Sequence, residues 1–134
     1  MIVDSSALVA IMRREPEADS FSEAILAADT PMMSAASYLE SGIVIDRSRN
    51  PQASADFDRV IDALSLSIAP VTASQARLAR EAYRRYGKGT GHPAGLNFGD
   101  CFSYALAIEA GKPLLFKGND FTQTDLADAA NQSF

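Results

Sequence analysis

Four acids hold comparable places in the 134-residue sequence. Asp4 follows the apolar start of MIVDSS, and Glu40 lies a turn or two into the helix-forming run SAASYLESG. Asp100 follows Asn97 by three in NFGDC, and Asp120 follows the apolar PLLF in FKGND. Carboxylates gathered without lysines among them repel, and they stay ionised together only around a positive charge. Hard divalent cations supply it. Mg²⁺ takes one or two protein carboxylates plus waters and substrate phosphates, and Mn²⁺ accepts the same ligands. Such ions can activate a water and stabilise the leaving oxygen of a phosphodiester. Each acid also has a structural reading: Asp4 as a helix cap, Glu40 as a first-turn acid facing the helix dipole, Asp100 as half of a capping box with Asn97, and Asp120 as a turn aspartate. Four acids at matching ends of matching elements favour the metal reading over four separate coincidences.

The elements that would position them alternate. Met1–Val3 reads as a short core strand, followed by a helix through Met12 capped by Ser5 or Ser6. Pro16 suits the first turn of a second helix, with Phe21, Ala24, Ile25 and Leu26 as its stripe. Met32–Ser34 forms a second strand, and Ala36–Arg49 a helix ended by Asn50-Pro51. Ala55–Leu64 forms another helix, with Phe57, Val60, Ile61 and Leu64 on one face, and Leu66–Ala69 a third strand. Thr72 or Ser74 caps a helix through Tyr86, and the loop GKGTGHPAGLN follows. Asn97 caps a helix to about Ala110 that Gly111 stops, Pro113–Phe116 is a fourth strand, and a last one follows Thr122. The expectation is one α/β domain over residues 1–134, with a short parallel sheet of about four to five strands flanked by helices. Sites in such sheets lie outside the carboxyl ends of the strands, where Asp4 stands.

Composition sets outer bounds. At 47% apolar and 22% charged residues the chain reads as globular. No run reaches the roughly 18 apolar residues of a membrane span, and no basic leader precedes Asp4, so a cytoplasmic protein is expected. The lone Cys101 forms no internal disulfide and is expected in the core beside Phe102. A net charge of -5 argues against phosphate binding through Lys and Arg alone, but bound cations reverse the sign of a carboxylate site. Other chemistries fit less well. His92 is the sole histidine, and no His/Cys set has zinc spacing. GKGTGHPAG lacks the G-K-[ST] ending of a phosphate-binding loop. Ser6 stands where phosphoaspartyl phosphatases carry a second aspartate, and Ala69-Pro70-Val71 where receiver domains carry the acceptor aspartate.

Four stretches, MIVDSSALVAIMRREPE, SAASYLESGIVID, YGKGTGHPAGLNFGDCFSYALA and GKPLLFKGNDFTQTDL, together resemble the VapC toxins of the PIN-domain superfamily, in order and over nearly the whole chain. The resemblance implies an endoribonuclease dependent on Mg²⁺, with Mn²⁺ able to substitute, that is the toxin of a type II toxin–antitoxin pair. It implies that Asp4 and Asp100 bind the metal most directly. Glu40 orients or deprotonates the attacking water or holds a second ion, and the Ser6 hydroxyl supports the site. The fourth position departs from the common Thr-x-Asp pattern. Phe116-Lys117-Gly118 stands there, which leaves Asp120 as the candidate ligand beside Asn119.

The expected RNA rim comprises Arg13, Lys88, His92 and Lys117, with Arg14, Arg84 and Arg85 as further cations; each arginine alone reads more readily as a solvated helix-end charge. Lys88 and His92 sit in a Gly-rich loop able to close over RNA. The resemblance further implies a VapB-type antitoxin, a homodimer and a larger toxin–antitoxin complex, with Ile43, Val44, Phe57 and Ile61 as candidate dimer surface. The competing function is a PIN-like RNA-binding or interaction module whose metal site is weak or idle.

Overall fold

The computed structural model describes residues 1–126 together with Asp128 and Ala129. Four strands, β1 (Ile2–Val3), β2 (Met32–Ser34), β3 (Ser67–Ala69) and β4 (Leu114–Leu115), form one sheet in the order β3-β2-β1-β4. Every pairing is parallel: Ile2 faces both Met32 and Leu114, and Met32 faces Ser67. The strand ends therefore line up, and the chain leaves β1 and β4 on the same edge.

Alternation along the strands divides the core in two. Ile2 and Leu114 join Leu96, Tyr104 and Phe116 on the face covered by α5 (Ala73–Tyr86) and α6 (Phe98–Ala110). Val3, Met33 and Leu115 join Leu8, Ile25, Ile45, Phe57 and Ile61 on the other face. That face is covered by α1 (Ser5–Met12), α2 (Ala18–Ala27), α3 (Ala35–Arg47) and α4 (Pro51–Ala63). Ile2, Val3, Leu8, Ile25, Leu114 and Leu115 are wholly buried. Each contributes about 1.5–3 kcal/mol of apolar burial, which holds strands only two or three residues long. Cys101 is buried as expected.

The helix ends differ from expectation at three places. Asp4 caps α1 in place of Ser5 or Ser6, because its carboxylate accepts from Ser6 N–H at 3.0 Å. α4 starts at Pro51 instead of Ala55: Asn50 accepts from Gln52 and Ala53 N–H, and proline at the first helical position loses no hydrogen bond. Pro16 lies ahead of α2, outside its first turn. Leu26 is exposed, so the α2 stripe narrows to Phe21 and Ile25. After Thr122 the chain turns instead of extending, and the expected fifth strand reduces to a bridge between Asp128 and Leu114. The rest of that segment lies outside the described residues, as does the end of the expected 1–134 domain.

Candidate active site

Three helix starts converge on the carboxyl edge of β1. Asp4 continues the strand, its N–H bonded to Leu115 C=O at 2.9 Å, before it turns to cap α1. The side chain is only 3% exposed. Besides Ser6 N–H on Oδ2, it accepts a 2.6 Å bond on Oδ1 from the buried Ser103 hydroxyl. Ser103 Oγ also lies 3.0 Å from Ser37 Oγ on α3. Because Ser103 spends its proton on Asp4, Ser37 is the donor of that second bond.

Asp100 sits in the first turn of α6 in a full capping box: Asn97 Oδ1 accepts from Asp100 N–H, and Asp100 Oδ2 accepts from Asn97 N–H, both at 2.9 Å. It too is buried. Glu40 reaches the same place from α3. Its Oε1 accepts from Ser5 Oγ at 2.5 Å, and its carboxylate lies so close to Gly99 that a Cβ there would overlap Oε2. Asp120 is exposed in the turn after β4, which Gly118 enters at φ +99°.

Electrostatics ties the four acids together. Burial first of all, and then the charges of Asp4, Asp120 and Glu40, push the Asp100 carboxyl up to about 7, against the opposing Asn97 N–H bond. Neighbouring carboxylates raise one another's proton affinity in this way when nothing positive separates them. The N-termini of α1 and α6 offset part of the repulsion. Among the described residues, no three His, Cys, Asp or Glu side chains close a metal cage by themselves. Mg²⁺ is held through one or two protein carboxylates and completes its shell with water and phosphate oxygens. Two buried carboxylates, Asp4 and Asp100, with Glu40 and Asp120 nearby, fit that requirement. A cleft of ≈ 810 Å³ beside Met1, Thr30 and Pro113 lies at the opposite end of the strands and contains none of these acids.

The PIN domain family model matches residues 1–126. A VapC ribonuclease of Mycobacterium bovis, Mb0625, and Ribonuclease VapC28 of Mycobacterium tuberculosis are each 53% identical to the chain, over 98% of it and 99% of their own length. The chain belongs to the VapC branch of the PIN-domain family. The fold agrees: the crystal structure of VapC20 of M. tuberculosis, described as a sarcin–ricin loop cleaving toxin, superposes with a TM-score of 0.75 over 95% of this chain and 96% of that one, at 17% identity.

The remaining expected residues of this PIN domain divide. Ser6 Oγ accepts from Lys117 N–H at 2.9 Å, so it fastens the end of β4 to the start of α1. Lys117 Nζ is paired with Glu15 and, at 2.9 Å, with Glu17. Arg13 is exposed, but at the end of α1 away from Asp4. Lys88 is exposed on the Gly-rich loop, its backbone bonded to Leu96. His92 is half-buried with its ring edge-on to Tyr86 at 4.9 Å, and its Nδ1 accepts from Ala94 N–H at 3.1 Å. Only its Nε2 edge is left to face a ligand. Ser5, Gly99 and Ser103 were not legible as site residues in advance. The available signal was spacing: Ser103 stands three after Asp100 and shares its face of α6.

Proposed function

We propose that this PIN domain is a divalent-metal-dependent endoribonuclease, the toxin of a type II toxin–antitoxin pair, with Asp4, Glu40, Asp100 and Asp120 as its site. The observation that carries the reading is the pair of buried carboxylates, Asp4 and Asp100, held at one sheet edge with Glu40 and Asp120 acting on Asp100. Asp4 and Asp100 would hold Mg²⁺, or Mn²⁺ in its place, with Glu40 and Asp120 as outer or second-ion ligands. When bound, the cation would polarise the scissile phosphoryl oxygen and lower the pKa of the attacking water. The chain's own groups do the rest. Ser103 and Ser6 N–H fix the Asp4 oxygens, Asn97 fixes Asp100, and Ser5 fixes Glu40 Oε1 so that Oε2 can take a proton from water. The products carry 5′-phosphate and 3′-hydroxyl ends. No histidine base is required, in keeping with His92 standing as a loop prop against Tyr86.

The partner is a VapB-type antitoxin that inserts arginine among the acids, since a guanidinium fork pairs carboxylate oxygens two at a time. The net charge of -5 favours such a basic tail. The homodimer uses α3: Leu39 and Ile43 are 60% and 47% exposed one helical turn apart, whereas Phe57 and Ile61 are core residues and leave the expected dimer surface. Such dimers then join antitoxin in a larger complex. Among the described residues, no helix is long and apolar enough to cross a membrane, and the proposed setting is the cytoplasm.

The deciding experiment is RNA cleavage by wild type, Asp4→Asn and Asp100→Asn in Mg²⁺, in Mn²⁺ and with chelator. Metal-dependent cutting by wild type alone supports the reading. RNA binding without cutting under every condition would make the chain a binding module instead.

A further inference from the structure

Phe98 is the first residue of α6, two positions before Asp100, and it is 77% exposed. Leaving a phenyl ring in water forgoes about 2 kcal/mol of burial, so the fold alone gives no reason for it. The ring is held in place nonetheless: it meets Phe102, one turn on, edge to face at 5.0 Å. Together they border a cleft of ≈ 220 Å³ between α5 and α6, with Ala76, Ala79, Arg80 and Cys101 as its other walls. The helix behind that cleft is basic. α5 carries Arg77, Arg80, Arg84 and Arg85 against the single Glu81, four positive charges less one negative, or +3, in a chain whose net charge is -5. Arg84 pairs with Glu81 and Arg85 lies over the Tyr86 ring at 4.7 Å, while Arg80 makes no ion pair among the described residues.

We propose that Phe98, backed by Phe102 and flanked by Arg80, is a stacking platform for one unpaired RNA base outside the acid site. The inference rests on the ribonuclease reading above and names a subsite for it. An exposed phenyl face with a guanidinium beside it matches a nucleotide: the base stacks on the ring while the phosphate meets the cation. Phe98 and Asp100 share the first turn of α6 but stand two residues apart, on different faces of it, so a nucleotide stacked on Phe98 would lie further along the RNA strand from the phosphate over the acids. Unpaired, splayed-out bases are what an aromatic platform can select, and a continuous duplex offers none.

The test uses full-length protein carrying Asp100→Asn, which binds without cutting, and a single-stranded RNA oligonucleotide with one 2-aminopurine. Fluorescence quenching on binding is expected. Adding Phe98→Ala should remove the quench and weaken binding about tenfold, and Phe98→Trp should restore both. Arg80→Ala should lower the slope of log affinity against log salt by about one. In the otherwise native enzyme, Phe98→Ala should raise KM with kcat nearly unchanged. Unaltered quench and affinity in Phe98→Ala would overturn the platform, and if Asp4→Asn were still inactive the ribonuclease reading would stand. Unaltered RNA affinity with lost inhibition by the antitoxin would assign the patch to protein docking and overturn it equally. Quenching that depends on Phe98 in a wild-type chain unable to cut RNA would keep the platform and sink the nuclease reading.

Discussion

The Ser103 hydroxyl donates a 2.6 Å hydrogen bond to Asp4 Oδ1 across 99 positions of sequence, joining the middle of α6 to the end of β1. Ser37 on α3 adds a third element to the same chain of hydroxyls. The bond helps to fix the orientation of a carboxylate that is only 3% exposed.

Ser103→Ala should therefore reduce RNA cleavage by about 10- to 100-fold, as the loss of groups that orient metal ligands does elsewhere. The metal concentration for half-maximal activity should rise. The loss of a buried bond to a charged group should also cost about 1–3 kcal/mol of stability. Metal titration of activity and a denaturant melt check the two effects separately. Normal metal dependence in a folded Ser103→Ala protein would remove the serine from the site.

Asp100 gives a pH signature. Its carboxyl is pushed up from 3.8 to about 7, first by burial and then by Asp4, Asp120 and Glu40. The folded state thus binds this proton more tightly than the unfolded state. The contribution of Asp100 to stability without metal should be highest below about pH 4, fall as pH rises from there to about 7, and level off above. Asp100→Asn removes the ionisation, and its amide oxygen can still accept from Asn97 N–H. In chelator at pH 8 the variant should melt several degrees above wild type, and at pH 4 the difference should shrink. Excess Mg²⁺ should raise the wild-type melting temperature alone. A pH-independent difference would mean that Asp100 is not the group under strain.

How far the sequence disclosed this site depends on the range of the interactions. Asp4, Asp100 and the Asn97 cap were legible because they follow local rules: a strand end, a helix start and a three-residue capping spacing. The parallel sheet was legible from apolar runs alternating with helices. Ser103 and Ser5 were not, since their partners lie 99 and 35 residues away and a serine in a helix has many other uses. The pairing of Lys117 with Glu15 and Glu17 was not legible, because nothing nearby in sequence shows that they reach it. Phe57 and Ile61 read as possible surface because amphipathic spacing defines a face without saying what covers it.

Gly99 lies directly against the Glu40 carboxylate. Any Cβ there would overlap Glu40 Oε2, and the neighbouring backbone is that of Asp100. Gly99→Ala should push the Glu40 carboxylate from its place on Ser5 and cut activity at least tenfold, with helix content unchanged in circular dichroism. Glu40→Gln should be similarly impaired. Adding Gly99→Ala to it should cost little more, because both act through one carboxylate. Full additivity would separate them.

The exposed pair on α3 gives a test of assembly. Leu39 and Ile43 are 60% and 47% exposed and contribute little to the monomer core. Ile43→Glu should leave the melting temperature of dilute protein within a degree or two and convert dimer to monomer in sedimentation at micromolar concentration. Phe57→Ala should instead destabilise the chain itself by about 3–5 kcal/mol, because that ring is core. A wild-type protein that sediments only as monomer would remove α3 as an interface.

The two loop lysines should behave differently toward RNA, and salt dependence is the way to see it. Lys117 Nζ already holds Glu15 and Glu17, so its charge is neutralised before any phosphate arrives. Burial does not trap this cluster, and solvent screening keeps its contribution to stability small. Lys117→Ala should therefore lower stability slightly and leave the slope of log affinity against log salt unchanged, since no phosphate counterion is released at that lysine. Lys88 is exposed on the loop above α6, and no acid pairs with it among the described residues. Each lysine that meets a phosphate adds about 0.7 to 0.9 to the slope. Lys88→Ala should lower the slope by about that amount, with weaker binding at low salt and convergence with wild type at high salt. If Lys117→Ala lowered the slope as Lys88→Ala does, its contacts to Glu15 and Glu17 would have to open when RNA binds, and Lys117 would return to the RNA rim.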